Sequence, residues 1–291
     1  MALNPMNPVE LESSARETMP HLCIVPIDSL VPHEEHDNQR SEPLIQRIRE
    51  SGVWVNPPVV APMDDSRYVI LDGANRHHAL SSLGYPHILV QVVSYESGAV
   101  QLDTWQHVIS DISWFEFLRQ VREVPAVSLE RTDLLSARAA LARRHLLAYT
   151  VLSDDRAYAI QAQVATLGQQ TAILCDIVNT YKERATLNRI NTDSLTVARR
   201  LYPNAVAIVV FPHYEPAEVL VAARDGLFLP PGITRHIIQG RAMRVNYPLS
   251  ELADETTPLE EKNRRLQTWI QERTAAKRVR YYAEPMFLFD E

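Results

Sequence analysis

The 291-residue sequence is poor in several features that other classes of protein require. It has only two cysteines, Cys23 and Cys175, and no CxxC pair, which excludes a disulfide framework and a cysteine-rich metal centre. Glycine is scarce, at 8 residues, which excludes a flexible low-complexity chain. The longest apolar runs, such as residues 206–211, are far shorter than the roughly 20 residues that span a bilayer. We therefore expect no membrane partner and a reducing, cytoplasmic location.

The chain also lacks an excess of positive charge. Its formal net charge is −7 at pH 7, whereas a nucleic-acid-binding surface is basic. Nucleic acid is therefore not an expected partner, although a local basic patch is compatible with this balance. The hydrophobic content of 46% is enough for a substantial core in one or two domains.

A strand, a polar turn, a helix and a second strand are predicted in succession near residue 70. The strands are rich in β-branched and aliphatic residues, and the helix places its apolar residues on one face. The three elements are residues 69–71, 75–83 and 88–93. Asp72 and Gly73 have the turn chemistry that ends the first strand.

The turn between the first strand and the helix has the features of an anion site. Asp72, Asn75 and Arg76 lie at this turn. The free N–H groups at a helix start attract anions, and an arginine in the first turn adds a two-pronged donor. An ordinary α/β turn with a solvated aspartate and arginine is the alternative, because strand–turn–helix units are common. The pattern predicts a place to hold a phosphate.

Residues 71–84 carry the order Leu-Asp-Gly-x-x-Arg-x-x-Ala-Leu-x-x-Leu-Gly, which resembles the ParB/sulfiredoxin superfamily. Within that superfamily the order is most similar to the free serine kinases, which phosphorylate L-serine to O-phospho-L-serine. The resemblance implies that ATP or ADP binds at Gly73, Ala74, Asn75, Arg76 and His77. It also implies that Asp72 lies at the reaction centre as the carboxylate nearest to Mg²⁺.

A second matched segment, Pro32-His33-Glu34, precedes a helix predicted over residues 41–51. In the serine kinases a glutamate in this setting is the catalytic base, so the resemblance implies that role for Glu34, with the adjacent Glu35 as the fallback. The chemistry is consistent, because a primary hydroxyl needs a positioned proton acceptor at neutral pH. A solvated acidic cluster of Glu34, Glu35 and Asp37 is the alternative.

A third matched segment, Thr234-Arg235-His236, resembles the substrate site of the serine kinases. The resemblance implies that these residues grip the phosphate of the product and orient the amino acid. A hydroxyl, a forked guanidinium and a ring N–H suit a phosphoryl group. A solvated polar patch before a strand is the alternative. Trp105, which follows the Asp-Thr pair at 103–104, is interpreted either as a platform for the nucleotide base or as ordinary core.

Three positions, in two segments, depart from the family pattern. Paired histidines often stand where this chain has Ala74 and Asn75, and some members have a lysine where this chain has Gly232. Either departure could change the choice of nucleotide or abolish activity. The resemblance covers roughly residues 22–250.

The ParB/sulfiredoxin resemblance also includes two functions other than that of a kinase. A ParB-like DNA-binding or ligand-sensing regulator without kinase activity would use a basic helical face, and Arg131, Arg138, Arg143 and Arg144 lie in the region after residue 110. Sulfiredoxin-like reduction requires a cysteine in the phosphate turn, where this chain has Ala74 and Asn75. The histidines do not have the spacing of a zinc site; they are His33, His36, His77, His78 and His87.

The sequence thus predicts an α+β fold in which a ParB/sulfiredoxin-like N-terminal domain and a second α/β domain form a cleft. The expected divisions of the chain are a flexible tail (1–20), a nucleotide-binding domain (21–110), a substrate-binding domain (111–250) and a C-terminal helix and tail (251–291). A β-hairpin is predicted over residues 146–160. The apolar end of the tail, residues 286–289, is expected to dock on the body.

Overall fold

The computed structural model describes residues 19–35, 38–63, 66–152 and 156–282. The strands are β1 (His21–Pro26), β2 (Leu30–Pro32), β3 (Val53–Trp54), β4 (Val59–Pro62), β5 (Tyr68–Asp72), β6 (His87–Val92), β7 (Val100–Thr104), β8 (Gln106–Ser110), β9 (Ser128–Thr132), β10 (Ala148–Leu152), β11 (Ala157–Gln161), β12 (Thr186–Ile190), β13 (Ala205–Val210), β14 (Thr234–Ile238) and β15 (Tyr247–Pro248). The helices are α1 (Asn38–Ser51), α2 (Ala74–Ser82), α3 (Trp114–Arg122), α4 (Leu134–Ala142), α5 (Leu167–Lys182), α6 (Leu195–Leu201), α7 (Pro216–Arg224), α8 (Leu249–Ala253) and α9 (Leu259–Ala275). Helices and strands are mixed along the chain, so the predicted α+β class is confirmed.

The first sheet has five strands in the order β1-β6-β4-β5-β2. It is mixed, because β2 pairs with β5 and β4 with β6 in parallel, whereas the other pairs are antiparallel. The predicted unit of strand, turn, helix and strand is confirmed as β5, α2 and β6. Its residues Val69, Ile70 and Leu71 are buried, as the aliphatic run indicated. This sheet fixes the end of β5, from which the turn at residues 72–76, here called the anion turn, projects.

The second sheet has six antiparallel strands in the order β12-β8-β13-β10-β11-β9. Consecutive residues of its strands face opposite cores: Val209 packs in one core with Phe117 and Ile177, and Ile208 packs in another with Leu195. This alternation is the period of two that a strand requires. Helices α3, α5 and α7 therefore cover one face, and α4 and α6 cover the other. The predicted hairpin is confirmed as the pair β10–β11; its turn residues 153–155 lie outside the described ranges.

Two short ribbons and the C-terminal helices connect the halves. Strand β14 pairs with β7, and β15 pairs with β3. The core under the first sheet includes Tyr247, Leu252 and Leu266 from the C-terminal part of the chain. The chain therefore returns to the first sheet after residue 240, and the second half is inserted between β7 and that return.

These pairings divide the chain differently from the predicted ranges. Strand β8 was assigned to the range 21–110, but it lies between β12 and β13 in the second sheet. The segment after residue 240 was divided between the ranges 111–250 and 251–291, but it packs against the first sheet. Sequence order is a poor guide here because strand pairing joins distant segments. Residues 1–18 and 283–291 of the predicted tails lie outside the described ranges. No helix among the described residues is long and apolar enough to span a membrane.

Candidate active site

A cleft with a volume of about 820 Å³ opens where the loop after β2, the β5–α2 turn and β14 meet. Its size is within the range of small-molecule sites. The cleft brings together most of the residues predicted from the sequence, namely Glu34, Asp72, Gly73, Ala74, Asn75, Arg76, Trp105, Thr234, Arg235 and His236. His77 is the exception. Its Nε2 lies 3.2 Å from the Ile27 carbonyl oxygen, and it is not part of the cleft lining.

The start of α2 forms one wall of the cleft. Its N-cap, Gly73, has φ 104° and gives no side-chain acceptor to the first-turn N–H groups. A Cβ at residue 73 would lie 3.0 Å from the Pro58 Cα and 2.9 Å from the Arg76 Nη2. Only glycine therefore combines this backbone conformation with so close an approach. The positive end of α2, with Ala74, Asn75 and Arg76 facing the cleft, can bind an anion.

Two arginines hold Asp72 at this wall. The Arg76 Nη2 lies 2.8 Å and the Arg241 Nη2 lies 2.6 Å from the Asp72 Oδ2. Desolvation in the cleft opposes ionisation of Asp72, but the two guanidinium groups outweigh it and hold its pKa below the usual value. Arg76 also donates to the Asn56 carbonyl oxygen at 3.0 Å. Asp72 is therefore an anion that organises two cations beside the turn.

The carboxylates of the cleft do not form a metal site by themselves. In the described part of the chain no three His, Cys, Asp or Glu side chains are grouped so that they could hold a metal ion. Asp72 is the single carboxylate at the anion turn, and it is engaged with Arg76 and Arg241. This arrangement fits only a cation that takes most of its ligands from phosphates and water, as Mg²⁺ does in nucleotide sites.

Glu34 also lines the cleft and is held by three donors. Its Oε2 accepts from the Gly232 N–H at 2.7 Å, and its Oε1 accepts from the Thr234 N–H at 2.7 Å. The Thr234 hydroxyl is also hydrogen-bonded to Oε1. Glu34 and Thr234 are 200 positions apart in the chain. The carboxylate thus has a fixed position and reaches the cleft from the first half of the molecule.

His33, a buried residue of the cleft lining, extends this arrangement. Its Nδ1 lies 2.7 Å from the Ile70 carbonyl oxygen, and its Nε2 lies 2.9 Å from the Thr234 Oγ1. Burial lowers the pKa of His33, although the Glu34 charge and the Ile70 carbonyl oppose the shift. A neutral ring must place its proton on Nδ1 to bond the carbonyl, so Nε2 is an acceptor. The Thr234 hydroxyl therefore stands between two acceptors, Glu34 and His33.

Arg235 and Trp105 form the side of the cleft nearest to β7. The Arg235 guanidinium carbon lies 4.4 Å from the centre of the Trp105 ring, and the Arg235 Nη1 lies 3.2 Å from the Asp103 Oδ2. One face of Trp105 is thus covered by a cation. Trp105 and Asp103 thus hold the Arg235 guanidinium at the wall of the cleft.

His236 adds no positive charge to the cleft near neutral pH. Burial and the neighbouring His33 lower its pKa to about 3, although the Leu71 carbonyl and Asp72 oppose this. The Tyr95 hydroxyl lies 2.7 Å from the His236 Nε2, and burial raises the pKa of that hydroxyl. The ring is therefore a neutral group held by Tyr95.

Several residues of the site were not predicted from the sequence. Arg241, Arg189, Arg47 and Tyr95 carry no local motif, and each reaches the cleft or its supports from a separate segment. The sequence around Arg241 gives little indication of a functional role, because Arg241 lies in a loop after β14 between small and apolar residues. Only the tertiary contacts identify these side chains.

Comparisons with known proteins were consistent with this geometry. No family model matches the chain. The ATP-dependent L-serine kinase SbnI of Staphylococcus aureus is 24% identical over 274 residues, which are 93% of this chain and 98% of that protein. An ATP-dependent L-serine kinase of Staphylothermus marinus is 33% identical over 87 residues, or 30% of this chain and 34% of that protein. A solved free serine kinase in complex with AMP has a TM-score of 0.67 at 19% identity, and the match covers 80% of this chain and 94% of that one.

These similarities confirm the resemblance to the free serine kinases that the three sequence segments indicated. The match with the staphylococcal protein extends over nearly the whole of both chains. The likeness to the solved structure shows that the fold is shared over four-fifths of this chain.

Proposed function

We propose that this chain is a nucleotide-dependent kinase that transfers a phosphoryl group to the hydroxyl of free L-serine and yields O-phospho-L-serine. One observation carries the proposal: an anion-binding helix start, a held carboxylate and a Thr-Arg-His segment meet in a single cleft. The names and coverage of the relatives support the same reaction. ATP is the donor that those names favour, and ADP is tested beside it.

The anion turn would bind the phosphates of the nucleotide. The first-turn N–H groups of α2 and the Arg76 guanidinium supply donors on the same side of the cleft. Mg²⁺ bound with the phosphates would neutralise charge on the transferring group, and Asp72 is the carboxylate that would face it. Trp105 is proposed to contact the nucleotide base with the part of its ring that Arg235 leaves open.

Glu34 would act as the general base for the serine hydroxyl. Its three hydrogen bonds from Gly232 and Thr234 keep the carboxylate in one orientation. When Glu34 takes the proton, it becomes a donor to the Thr234 Oγ1. The Thr234 hydroxyl hydrogen can then turn to the free acceptor, the His33 Nε2. The exchange gives the new proton on Glu34 an acceptor and gives the Thr234 hydroxyl hydrogen a second acceptor, so the protonated base is stabilised.

Arg235 would neutralise charge on the phosphoryl group during transfer. Phosphoryl transfer depends chiefly on positioning and electrostatic stabilisation. Asp103 and Trp105 restrict the Arg235 guanidinium to one wall, which lowers the entropic cost of using it. Thr234 holds Glu34 and is adjacent to Arg235 in the chain, so one short segment positions both the proposed base and the cation.

The direct test is incubation of the protein with L-serine, Mg²⁺ and either ATP or ADP, followed by mass spectrometry for O-phospho-L-serine. We expect product with at least one nucleotide and none when the metal is chelated. The Glu34→Gln variant should lose about 10²–10⁴-fold in turnover while it retains nucleotide binding, because only the proton acceptor is removed. Glu35→Gln is the matched control and should remain active. Full activity of Glu34→Gln would exclude Glu34 as the base, and absence of product from wild type would contradict the proposed reaction.

A further inference from the structure

Gly232 stands beside an arginine that the reaction described above does not use. Its φ is +76°, a conformation that side chains other than glycine rarely adopt. A Cβ built on this residue would overlap the guanidinium of Arg189. The arginine therefore occupies the volume that any side chain at residue 232 would fill. The positive φ favours glycine at this position, and the Arg189 side chain fills the space next to its Cα.

Arg189 reaches the cleft from the second sheet. It lies on the edge strand β12, opposite His107 of β8, and its side chain lines the cleft together with Arg235 and Trp105. Burial and the Arg189 charge lower the pKa of His107 to about 3, against the opposing effect of the Gly232 and Pro231 carbonyls. His107 is thus a neutral neighbour that does not repel the guanidinium. Arg189 thus adds a cation to the cleft, and it comes from a segment outside the three sequence motifs.

Gly232 lies next to both Arg189 and Glu34, the proposed base. The Gly232 N–H donates to the Glu34 Oε2 at 2.7 Å, so one residue contacts the carboxylate and lies against the guanidinium. The oxygen that Glu34 would deprotonate is the oxygen that becomes bonded to phosphorus. A cation that lies against the same residue as this carboxylate is therefore placed to face the incoming phosphoryl group, and it comes from a different segment from the turn at the start of α2.

We propose that Arg189 binds the phosphoryl group as it is transferred and in the product, and that the missing side chain of Gly232 leaves room for this guanidinium. The proposal rests on the kinase function proposed above. It assigns to Arg189 a ligand of defined chemistry, a phosphate monoester on the amino-acid side chain. Arginine matches the planar arrangement of phosphate oxygens with two parallel N–H donors.

The experiment compares the affinities of O-phospho-L-serine and L-serine for wild type and Arg189→Met by isothermal titration. We expect the variant to bind O-phospho-L-serine about 10- to 100-fold more weakly, as loss of a hydrogen bond to a charged group predicts. Binding of L-serine and of nucleotide should change less than about twofold. Arg189→Lys should retain part of the affinity for phosphoserine. Arg131→Met is the matched control, because Arg131 is an exposed residue of the opposite edge strand β9 and lies outside the cleft lining.

Two results would overturn the assignment. Equal losses for L-serine and O-phospho-L-serine would place Arg189 at a group common to both, such as the carboxylate, and unchanged affinities would exclude it from the site. Gly232→Ala gives a second arm, because the added methyl group would occupy the volume of the Arg189 guanidinium, and the variant should bind O-phospho-L-serine more weakly than wild type. Unchanged affinity for O-phospho-L-serine in this variant would contradict the proposed link. The test separates this proposal from the kinase function, because a wild type that binds phosphoserine through Arg189 but forms no product fails only the latter.

Discussion

At the residue scale, the Thr234 hydroxyl joins Glu34, the proposed base, to a second acceptor, His33. Thr234→Val keeps the shape and the main-chain N–H that donates to Glu34 but removes the hydroxyl that bonds to Glu34 and approaches His33. We expect turnover to fall about 10-fold, because the protonated base loses its partner, with nucleotide affinity unchanged. Steady-state kinetics and a nucleotide titration check this. Thr234→Ser is the control and should keep most of the activity; full activity of the valine variant would show that the exchange is not used.

His107 gives a residue-scale prediction about pH. The His107 Nδ1 lies 3.0 Å from the Tyr181 hydroxyl oxygen. The pKa of His107 is about 3 in the folded protein and near 6.5 in the unfolded chain. Burial is the main cause of the difference, and the positive charge of Arg189 adds to it. Between these values the unfolded chain binds a proton that the folded protein does not. The free energy of unfolding should therefore fall as pH decreases below 6.5.

The measurement is the free energy of unfolding of wild type and His107→Gln at several pH values. The histidine contributes a slope of about 1.4 kcal/mol per pH unit well below pH 6.5, and this part should disappear in the variant. Above about pH 7.5 the difference between the two proteins should be constant, since the histidine is neutral in both states. Identical slopes at low pH would contradict the assignment.

At the element scale, helix α9 completes the edge of the first sheet. Strand β1 lies at that edge, and the Asn263 side chain pairs with both main-chain groups of Ile24: its Oδ1 accepts from the N–H at 2.8 Å and its Nδ2 donates to the carbonyl at 2.8 Å. Ile24 is fully buried. At Ile24 this side chain takes the place of a neighbouring strand and satisfies the main-chain groups of an edge residue.

Removal of this side chain should destabilise the fold. Asn263→Ala leaves two buried main-chain groups without their partner, and we expect a loss of about 1–3 kcal/mol in the free energy of unfolding. Denaturation by urea provides the measurement. Arg264→Ala, next to it on the exposed side of α9, is the control and should change stability by no more than about 0.5 kcal/mol. A loss no larger than that of the control would show that water satisfies the strand edge equally well.

At the scale of the whole molecule, the charge distribution argues against duplex DNA as a ligand. The net charge is −7, and two of the arginines that a DNA-binding face would use are paired with carboxylates: Arg138 with Asp193 at 2.6 Å and Arg144 with Glu218 at 2.8 Å. We expect weak binding without sequence preference that decreases as salt increases. Retention of labelled duplexes at physiological salt is the measurement. Tight, sequence-specific retention together with no phosphoserine product would favour the regulator instead.

The sequence by itself determined the parts of the protein whose chemistry is local. The aliphatic run of β5, the turn at Asp72 and Gly73 and the face of α2 are set by neighbours a few residues apart, and they appear in the structure as predicted. Glu34 and the Thr-Arg-His segment were also found from the sequence, because each is a short polar run in a matched setting. The structure places them together in one cleft.

Only the tertiary structure decided which other side chains join that cleft and how the chain divides between the sheets. Strands β9 and β12 are polar and half-exposed, so no alternation marked them, and they are strands because β11 and β8 offer them open edges. Arg189 reaches the cleft because β12 pairs there, and Arg241 reaches Asp72 because the chain returns to the first sheet. The reason is physical: hydrogen bonding between strands and burial of apolar surface act between segments that are distant in sequence, and residue spacing does not record them.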